Sequence, residues 1–256
     1  EGRDVHQVLN PATGEVLAMV NQPAYNPNDR DQINARTYRN RAATDILEPG
    51  SSIKPFVVAA ALSSGKYSEQ SIVDTSPGYI RVGVKPIEDK HNLGRIDLAT
   101  ILAKSSNVGM TRVALSLDPE QMWTTLTRLG FGQVTTSGYP GESAGLLPHW
   151  SHWRPIGIAT MSYGYGLSVT PLQLAHAYAT IGGGGQSRPV SFLRVDTVPV
   201  GDRVLDEPEA LGDFRGAIRE DISQRILRRR IVGSACEQIP QRAHGWSPNL
   251  IRGSPV

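Results

Sequence analysis

Two short polar clusters carry side chains that could do nucleophilic chemistry. The first is Ser51-Ser52-Ile53-Lys54, at the start of an apolar stretch. Positions three apart on a helix share a face, so Ser51 and Lys54 come within reach of each other. A serine hydroxyl attacks poorly until a neighbouring base takes its proton. A lysine amine can be that base where burial disfavours its charged form. Backbone N–H groups at the helix start would favour an oxyanion forming beside Ser51. The second cluster is Ser105-Ser106-Asn107. A Ser-x-Asn loop presents a hydroxyl that can relay a proton and an amide that can hold a carbonyl. Each cluster alone also fits a bland account, a helix cap with a snorkelling lysine or a polar loop. Their order, each beside a predicted helix, is more specific than either.

The elements that must carry these clusters are readable from pattern. Glu48-Pro49-Gly50 is a turn, and Ser51 to Leu62 is predicted as a helix buried on all sides by its unbroken apolar run from Phe56. Pro55 falls in the first turn, where an absent N–H costs little. Asp97 to Ala103 reads as a helix running into Ser105. Pro119 to Leu129 reads as another, closed by Gly130. Thr170 is a good N-cap with Pro171 behind it, opening a helix that ends at Gly182 and carries Leu174, Tyr178 and Ile181 on one face. Val8 to Val20 is predicted as a buried hairpin about Asn10-Pro11-Ala12-Thr13-Gly14. Asn21 to Asn40 has loop composition, Gly182 to Gly185 reads as a flexible linker, and Val190 to Val195 as a strand.

Composition bounds the rest. The 256 residues are 39% hydrophobic and 20% charged, a globular balance with room for one large domain or two small ones. A net charge of +2 gives no electrostatic reason to expect a nucleic-acid partner. No apolar run is long enough to span a bilayer. The single cysteine, Cys236, excludes an internal disulfide and a cysteine metal cluster. His149 and His152 lie three apart without an evident third metal ligand, and the glycine run lacks the Lys-Ser/Thr of a phosphate loop. The chain begins at Glu1, which leads us to expect a fragment or a processed form.

With these residues in view, Glu48 to Pro55 resembles the active-serine motif of class B penicillin-binding proteins. Ile72 to Gly78, Ile101 to Gly109, Gly130-Phe131-Gly132 and the long stretch Ile158 to Ala175 are similar to further segments of that family in the same order. The likeness is to its division-specific peptidoglycan D,D-transpeptidases in Gram-negative bacteria, over roughly residues 8 to 205. The resemblance implies an α+β transpeptidase fold of the penicillin-binding protein/β-lactamase kind, an antiparallel sheet flanked by helices with the Ser51 helix central. It implies Ser51 as nucleophile on the penultimate D-Ala carbonyl of a stem peptide, Lys54 as base, Ser105 as proton relay and Asn107 as holder of the acyl-side amide. By position, Tyr165 would line the substrate cleft. The implied partners are peptidoglycan stem peptides, β-lactams and membrane proteins of the division machinery, with no metal or cofactor. The implied location is the periplasmic face of the inner membrane, with the parent protein anchored there.

One departure is abrupt. The family carries a third motif, Lys-Ser/Thr-Gly, expected here within 230–256. All five lysines, Lys54, Lys66, Lys85, Lys90 and Lys104, precede that region, and no His or Arg substitutes for the motif lysine. That strand would hold the substrate carboxylate and supply one oxyanion N–H. Arg215, Arg219, Arg225, Arg228, Arg229 and Arg230 crowd the same zone. The expected organisation is therefore a partial transpeptidase domain over 1–207 and a divergent Arg-rich tail over 208–256. A frame-shifted or unrelated read of GC-rich DNA would account for the tail, leaving the fold incomplete at the C-terminus and activity impaired. A D,D-carboxypeptidase or β-lactamase-like hydrolase, and a non-catalytic remnant, are the alternatives.

Overall fold

A computed structural model describes residues 4–29, 31 and 34–205. The Arg-rich tail, and with it the region where the third motif was expected, lies outside the described residues. Helices and antiparallel strand pairs alternate along the chain, and among the described residues the strands form four two-stranded ladders. The first joins β1 (Val5–Leu9) to β2 (Val16–Asn21), with Gln7 opposite Met19 and a bulge between Val8 and Leu9. Its loop is closed by the Gly14 amide donating to the Asn10 carbonyl at 2.8 Å. The expected burial of this hairpin holds for one face only. Leu9, Val16 and Met19 pack against Ala43, Leu172 and Val190, whereas Val8, Leu17 and Val20 are 53%, 58% and 48% exposed. A sheet face is buried only where another element covers it, and the covering here is one-sided.

The core centres on α3 (Lys54–Ser63), in which Lys54 through Ala61 are all buried. The predicted helix start moves by one turn. Gly50–Ile53 is a 3-10 turn, and the α-helical geometry begins at Lys54, whose N–H donates to the Ser51 carbonyl. In a 3-10 turn the side chains at i and i+3 eclipse one another more closely than in an α-helix. The Phe56 ring meets Phe131 and Tyr178 edge-on, with centroids 5.1 and 4.8 Å apart. The Tyr178 hydroxyl donates to the Ser52 carbonyl at 2.9 Å, tying a distant helix to the Ser51 turn.

That helix, α8 in chain order (Pro171–Gly182), has the predicted bounds and the predicted cap. The Thr170 hydroxyl accepts from the Gln173 amide while the Gln173 side chain accepts from the Thr170 amide, a complete capping box. Of the predicted stripe only Ile181 is fully buried, Leu174 and Tyr178 being half-buried, and the buried side is made of Leu172, Gln173, His176, Ala177, Thr180 and Ile181. The glycines after it close the helix rather than link loosely: the Gly185 amide reaches the Thr180 carbonyl at 2.9 Å with φ at +82°. The strand expected at Val190–Val195 does not form. Among the described residues Ser191 makes only an isolated parallel bridge to Glu15, and Val190 instead buries its side chain.

Between α3 and α8 come two further ladders and four helices. β3 (Ile72–Asp74) pairs with β6 (Arg95–Asp97), and β4 (Tyr79–Val82) with β5 (Lys85–Glu88). The helices are α4 (Leu98–Lys104), α5 (Asn107–Ser116), α6 (Pro119–Arg128) and α7 (Pro155–Met161). Asp97 caps α4 by accepting from the Thr100 amide at 2.7 Å. Gly109 lets α4 and α5 approach closely, since a Cβ there would stand 2.8 Å from Ile101 Cγ1. One short helix, α1 (Ala35–Tyr38), breaks the Asn21 to Asn40 stretch expected to be loop, and a second, α2 (Arg41–Thr44), follows directly after it. No helix among the described residues is long and apolar enough to cross a membrane.

Two measurements test this packing. His176 is buried with Nε2 at 2.8 Å from the Arg188 carbonyl oxygen; burial depresses its pKa, against smaller upward pulls from that carbonyl and from Glu142. The unfolded chain therefore binds a proton near pH 6.5 that the fold resists, so stability is full above that value and is lost as pH falls below it. Thermal unfolding should show Tm falling more steeply below about pH 6.5 in the native chain than in His176→Asn. Gly164 has φ at +92°, and a Cβ on it would stand 1.9 Å from the Gly50 carbonyl oxygen. Gly164→Ala should lower stability by about 2–3 kcal/mol in denaturant titration, from overpacking plus an unfavourable φ.

Candidate active site

The α4–α5 junction brings the second polar cluster onto the first. α4 ends at Ser105, which takes a left-handed conformation (φ 55°, ψ 41°) that non-glycine residues rarely adopt. Ser106 follows in extended geometry and caps α5, its hydroxyl accepting from the Gly109 amide at 2.8 Å. The chain thus reverses over two residues and turns the Ser105 and Asn107 side chains toward the Ser51 turn. Strained backbone of this kind persists where its surroundings hold it in place, and such positions cluster at functional sites.

Lys54 is 1% exposed, and its ammonium is the hub of the site. Nζ donates to the Ser105 carbonyl at 2.6 Å, to Ser105 Oγ at 3.1 Å and to Asn107 Oδ1 at 2.8 Å. Ser105 Oγ in turn donates to Ser51 Oγ at 3.1 Å. Burial penalises the ammonium while these oxygens favour it, so the two influences oppose each other. The contact to Oδ1 also fixes which way the Asn107 amide faces, leaving its NH2 end directed away from the lysine. Ser51, Lys54, Ser105 and Asn107 therefore form one connected hydrogen-bond network, drawn from α3, its preceding turn and the α4–α5 junction.

Tyr165 sits on a loop fastened to the turn that precedes Ser51. It is 50% exposed, and both its neighbours are pinned to the turn that leads into Ser51. The Gly50 amide donates to the Gly164 carbonyl at 3.1 Å, and the Gly166 amide donates to Glu48 Oε1 at 3.0 Å. Paired backbone bonds between Leu47 and Val169, each 2.9 Å, extend the same attachment. The Tyr165 ring meets that of Tyr163 edge-on at 5.9 Å. Burial, and secondly the Tyr165 phenol, push the Tyr163 hydroxyl above its usual pKa.

Sequence reading missed Asp89. Its carboxylate accepts from the Ser106 hydroxyl at 2.5 Å, the Asn107 amide at 2.6 Å and the Val108 amide at 3.2 Å. Nothing local in Ile87-Glu88-Asp89-Lys90 announces a contact made 17 to 19 residues later. The histidines set aside as a metal pair have other partners: His149 Nδ1 bonds the Ser151 hydroxyl at 2.8 Å, and its ring leans on Trp123 with centroids 4.9 Å apart. Among the described residues no three His, Cys, Asp or Glu side chains gather at metal-binding range. A separate cavity of about 690 Å³, lined by Met19, Tyr25, Tyr38, Tyr139 and Phe192 among others, contains none of the network residues.

Comparison with known proteins bears on the family and the fold. Residues 6–210 match the family model described as the penicillin binding protein transpeptidase domain. The chain is 44% identical over 203 residues to the probable peptidoglycan D,D-transpeptidase PenA of Neisseria meningitidis serogroup A, covering 79% of this chain and 35% of that protein. It is 45% identical over 195 residues to the peptidoglycan D,D-transpeptidase FtsI of Escherichia coli K12, covering 76% of this chain and 33% of that one. It thus spans about a third of the length of these curated relatives. The solved apo transpeptidase domain of Burkholderia pseudomallei penicillin-binding protein 3 superposes with a TM-score of 0.76 at 37% identity, over 85% of this chain and 62% of that one. With the α+β fold, the ordered motifs and the matched span in agreement, the chain belongs to the penicillin-binding protein transpeptidase domain family.

Proposed function

We propose that this chain carries the acyl-enzyme machinery of a peptidoglycan D,D-transpeptidase of septal cell-wall synthesis. The observation that carries the reading is the continuous path from Ser51 Oγ through Ser105 Oγ to the buried Lys54 Nζ. With Lys54 neutral, the path runs as a relay. Ser51 Oγ bonds to the penultimate D-Ala carbonyl carbon while its proton passes through Ser105 to Lys54. Collapse of the tetrahedral intermediate breaks the peptide bond, and the terminal D-Ala leaves with a proton returned along the same path. The amine of a second stem peptide then bonds to the acyl carbon, its lost proton passes through Lys54 and Ser105 to Ser51 Oγ, and the ester bond breaks to free the serine. Asn107 offers its NH2 to the acyl-side amide of the peptide. Tyr165 forms part of the cleft wall, held by the Gly164 and Gly166 attachments. A β-lactam would acylate Ser51 and remain there. The reading extends, by family, to membrane proteins of the division machinery as partners and to the periplasmic face of the inner membrane as location.

The sequence contains no Lys-Ser/Thr-Gly after Ser105. We take 1–207 as the family-like part and 208–256 as divergent, so one carboxylate anchor and one oxyanion donor are missing from the proposed machinery. Loss of one such donor typically costs about 3 kcal/mol in the transition state, a factor of roughly 100 in rate.

Intact-mass measurement after incubation with a labelled penicillin tests the reading. A slow, sub-stoichiometric adduct is expected, absent in Ser51→Ala and about 100-fold or more slower to form in Lys54→Ala. A chain that never acquires a Ser51-dependent adduct, even with excess β-lactam and long incubation, would overturn the acyl-enzyme reading. Rapid stoichiometric labelling would keep that reading and overturn the impairment.

A further inference from the structure

The amide groups at the start of a helix lack intrahelical acceptors, and in α5 they have been given two different ones. Gly109 bonds the Ser106 hydroxyl within its own turn. Asn107 and Val108 bond the carboxylate of Asp89, which arrives from the end of β5. The same carboxylate accepts the Ser106 hydroxyl proton through its second oxygen. Asp89 therefore grips Ser106 and Asn107, two of the three residues of the Ser-x-Asn segment, and touches neither Ser51 nor Lys54 directly through these bonds. Asn107 is held at both ends, its backbone N–H by Asp89 and its side-chain oxygen by Lys54. Just upstream, Ser105 occupies left-handed backbone that it would not choose alone.

Asp89 is itself firmly placed. Its amide donates to the Gly78 carbonyl at 2.9 Å, closing the β4–β5 hairpin. Ile87 and Val82 of that hairpin are buried against Ala159 and Tyr163, on the side of the molecule that leads to Tyr165. A negative charge at the start of a ten-residue helix is also favoured by the helix dipole.

We infer that Asp89 is a positioning residue for the reaction, a carboxylate clamp that fixes the Ser105–Asn107 segment against Lys54 without meeting the substrate. The inference rests on the acyl-enzyme reading above for its consequence in rate, and on the hydrogen bonds alone for the clamp. The test combines amide hydrogen exchange by NMR with penicillin acylation of the full chain, comparing Asp89→Ala, Asp89→Asn and the control Asp118→Ala. Asp118 caps α6 by accepting from the Glu120 amide at 3.2 Å and lies outside the network, so its loss reports general destabilisation.

In Asp89→Ala the Asn107 and Val108 amides should exchange about 10-fold faster or more, with α8 amides unchanged. Acylation should slow by roughly 10- to 100-fold. Asp89→Asn keeps one oxygen for the two amides but cannot accept from Ser106 on the other side, and should fall between. That intermediate loss stays readable if the alanine variant does not fold. Asp118→Ala should lower Tm and leave acylation unchanged. Unaltered exchange at both amides in the Asp89 variants, or an equal fall in acylation in Asp118→Ala, would overturn the inference. A native chain that fails to label would count against the acyl-enzyme reading, while the exchange comparison still decides the clamp.

Discussion

The site depends on one buried cation. A lysine sealed from water must find oxygen acceptors, because an unpaired charge in the interior costs several kcal/mol. Lys54 is sealed by its place in α3, a helix with apolar neighbours on every side. Its need for oxygens is what gathers Ser105 and Asn107, which lie more than fifty residues along the chain. Two loops of unrelated sequence position thereby acquire a fixed mutual geometry, and the Ser51 hydroxyl is brought into the same chain of bonds through Ser105. The chemistry proposed for the site and the satisfaction of its buried charge thus draw on the same contacts.

The second constraint is backbone proximity. Gly164 lies so close to the Gly50 backbone that a Cβ on Gly164 has no room, and Glu48 holds the far side of the same loop through Gly166. The glycines flanking Tyr165 are therefore tied to the turn that presents Ser51. α8 completes the frame from beneath, through Tyr178 on Ser52 and a ring contact with Phe56. Its buried Gln173 reaches the carbonyls of Gln133 and Ala144, so the segment between α6 and α7 is also secured to it.

What could be read from sequence was what has short-range causes. Thr170-Pro171 and Gly182 defined the two ends of α8, and the three-residue spacing put Ser51 and Lys54 together at the start of one buried element. The four network residues follow from such spacing together with family likeness. Features with distant causes were not legible. The contact between Asp89 and Asn107 is set by how the β4–β5 hairpin folds over α5, and the Gly50–Gly164 approach by tertiary packing. α5 was not among the predicted helices, and Gly109 in its first turn makes room for Ile101. Val190–Val195 has strand-like composition, but a strand also needs a partner, and among the described residues it has only the bridge at Ser191.

The left-handed turn at Ser105 limits what can replace it. The residues most at ease in that backbone region are glycine, asparagine and aspartate, and none of them carries a hydroxyl. Threonine has the hydroxyl and takes this backbone region at Thr136, with φ at +58°, but its branching at Cβ makes the region more costly for it than for serine. Tyrosine would put its oxygen several ångströms too far out. Among the hydroxyl-bearing residues, serine thus meets both the chain path and the hydrogen-bond chain to Ser51 with the least backbone strain. Conservative exchange, the usual route by which a sequence drifts, is narrowed at this position by backbone geometry as well as by chemistry.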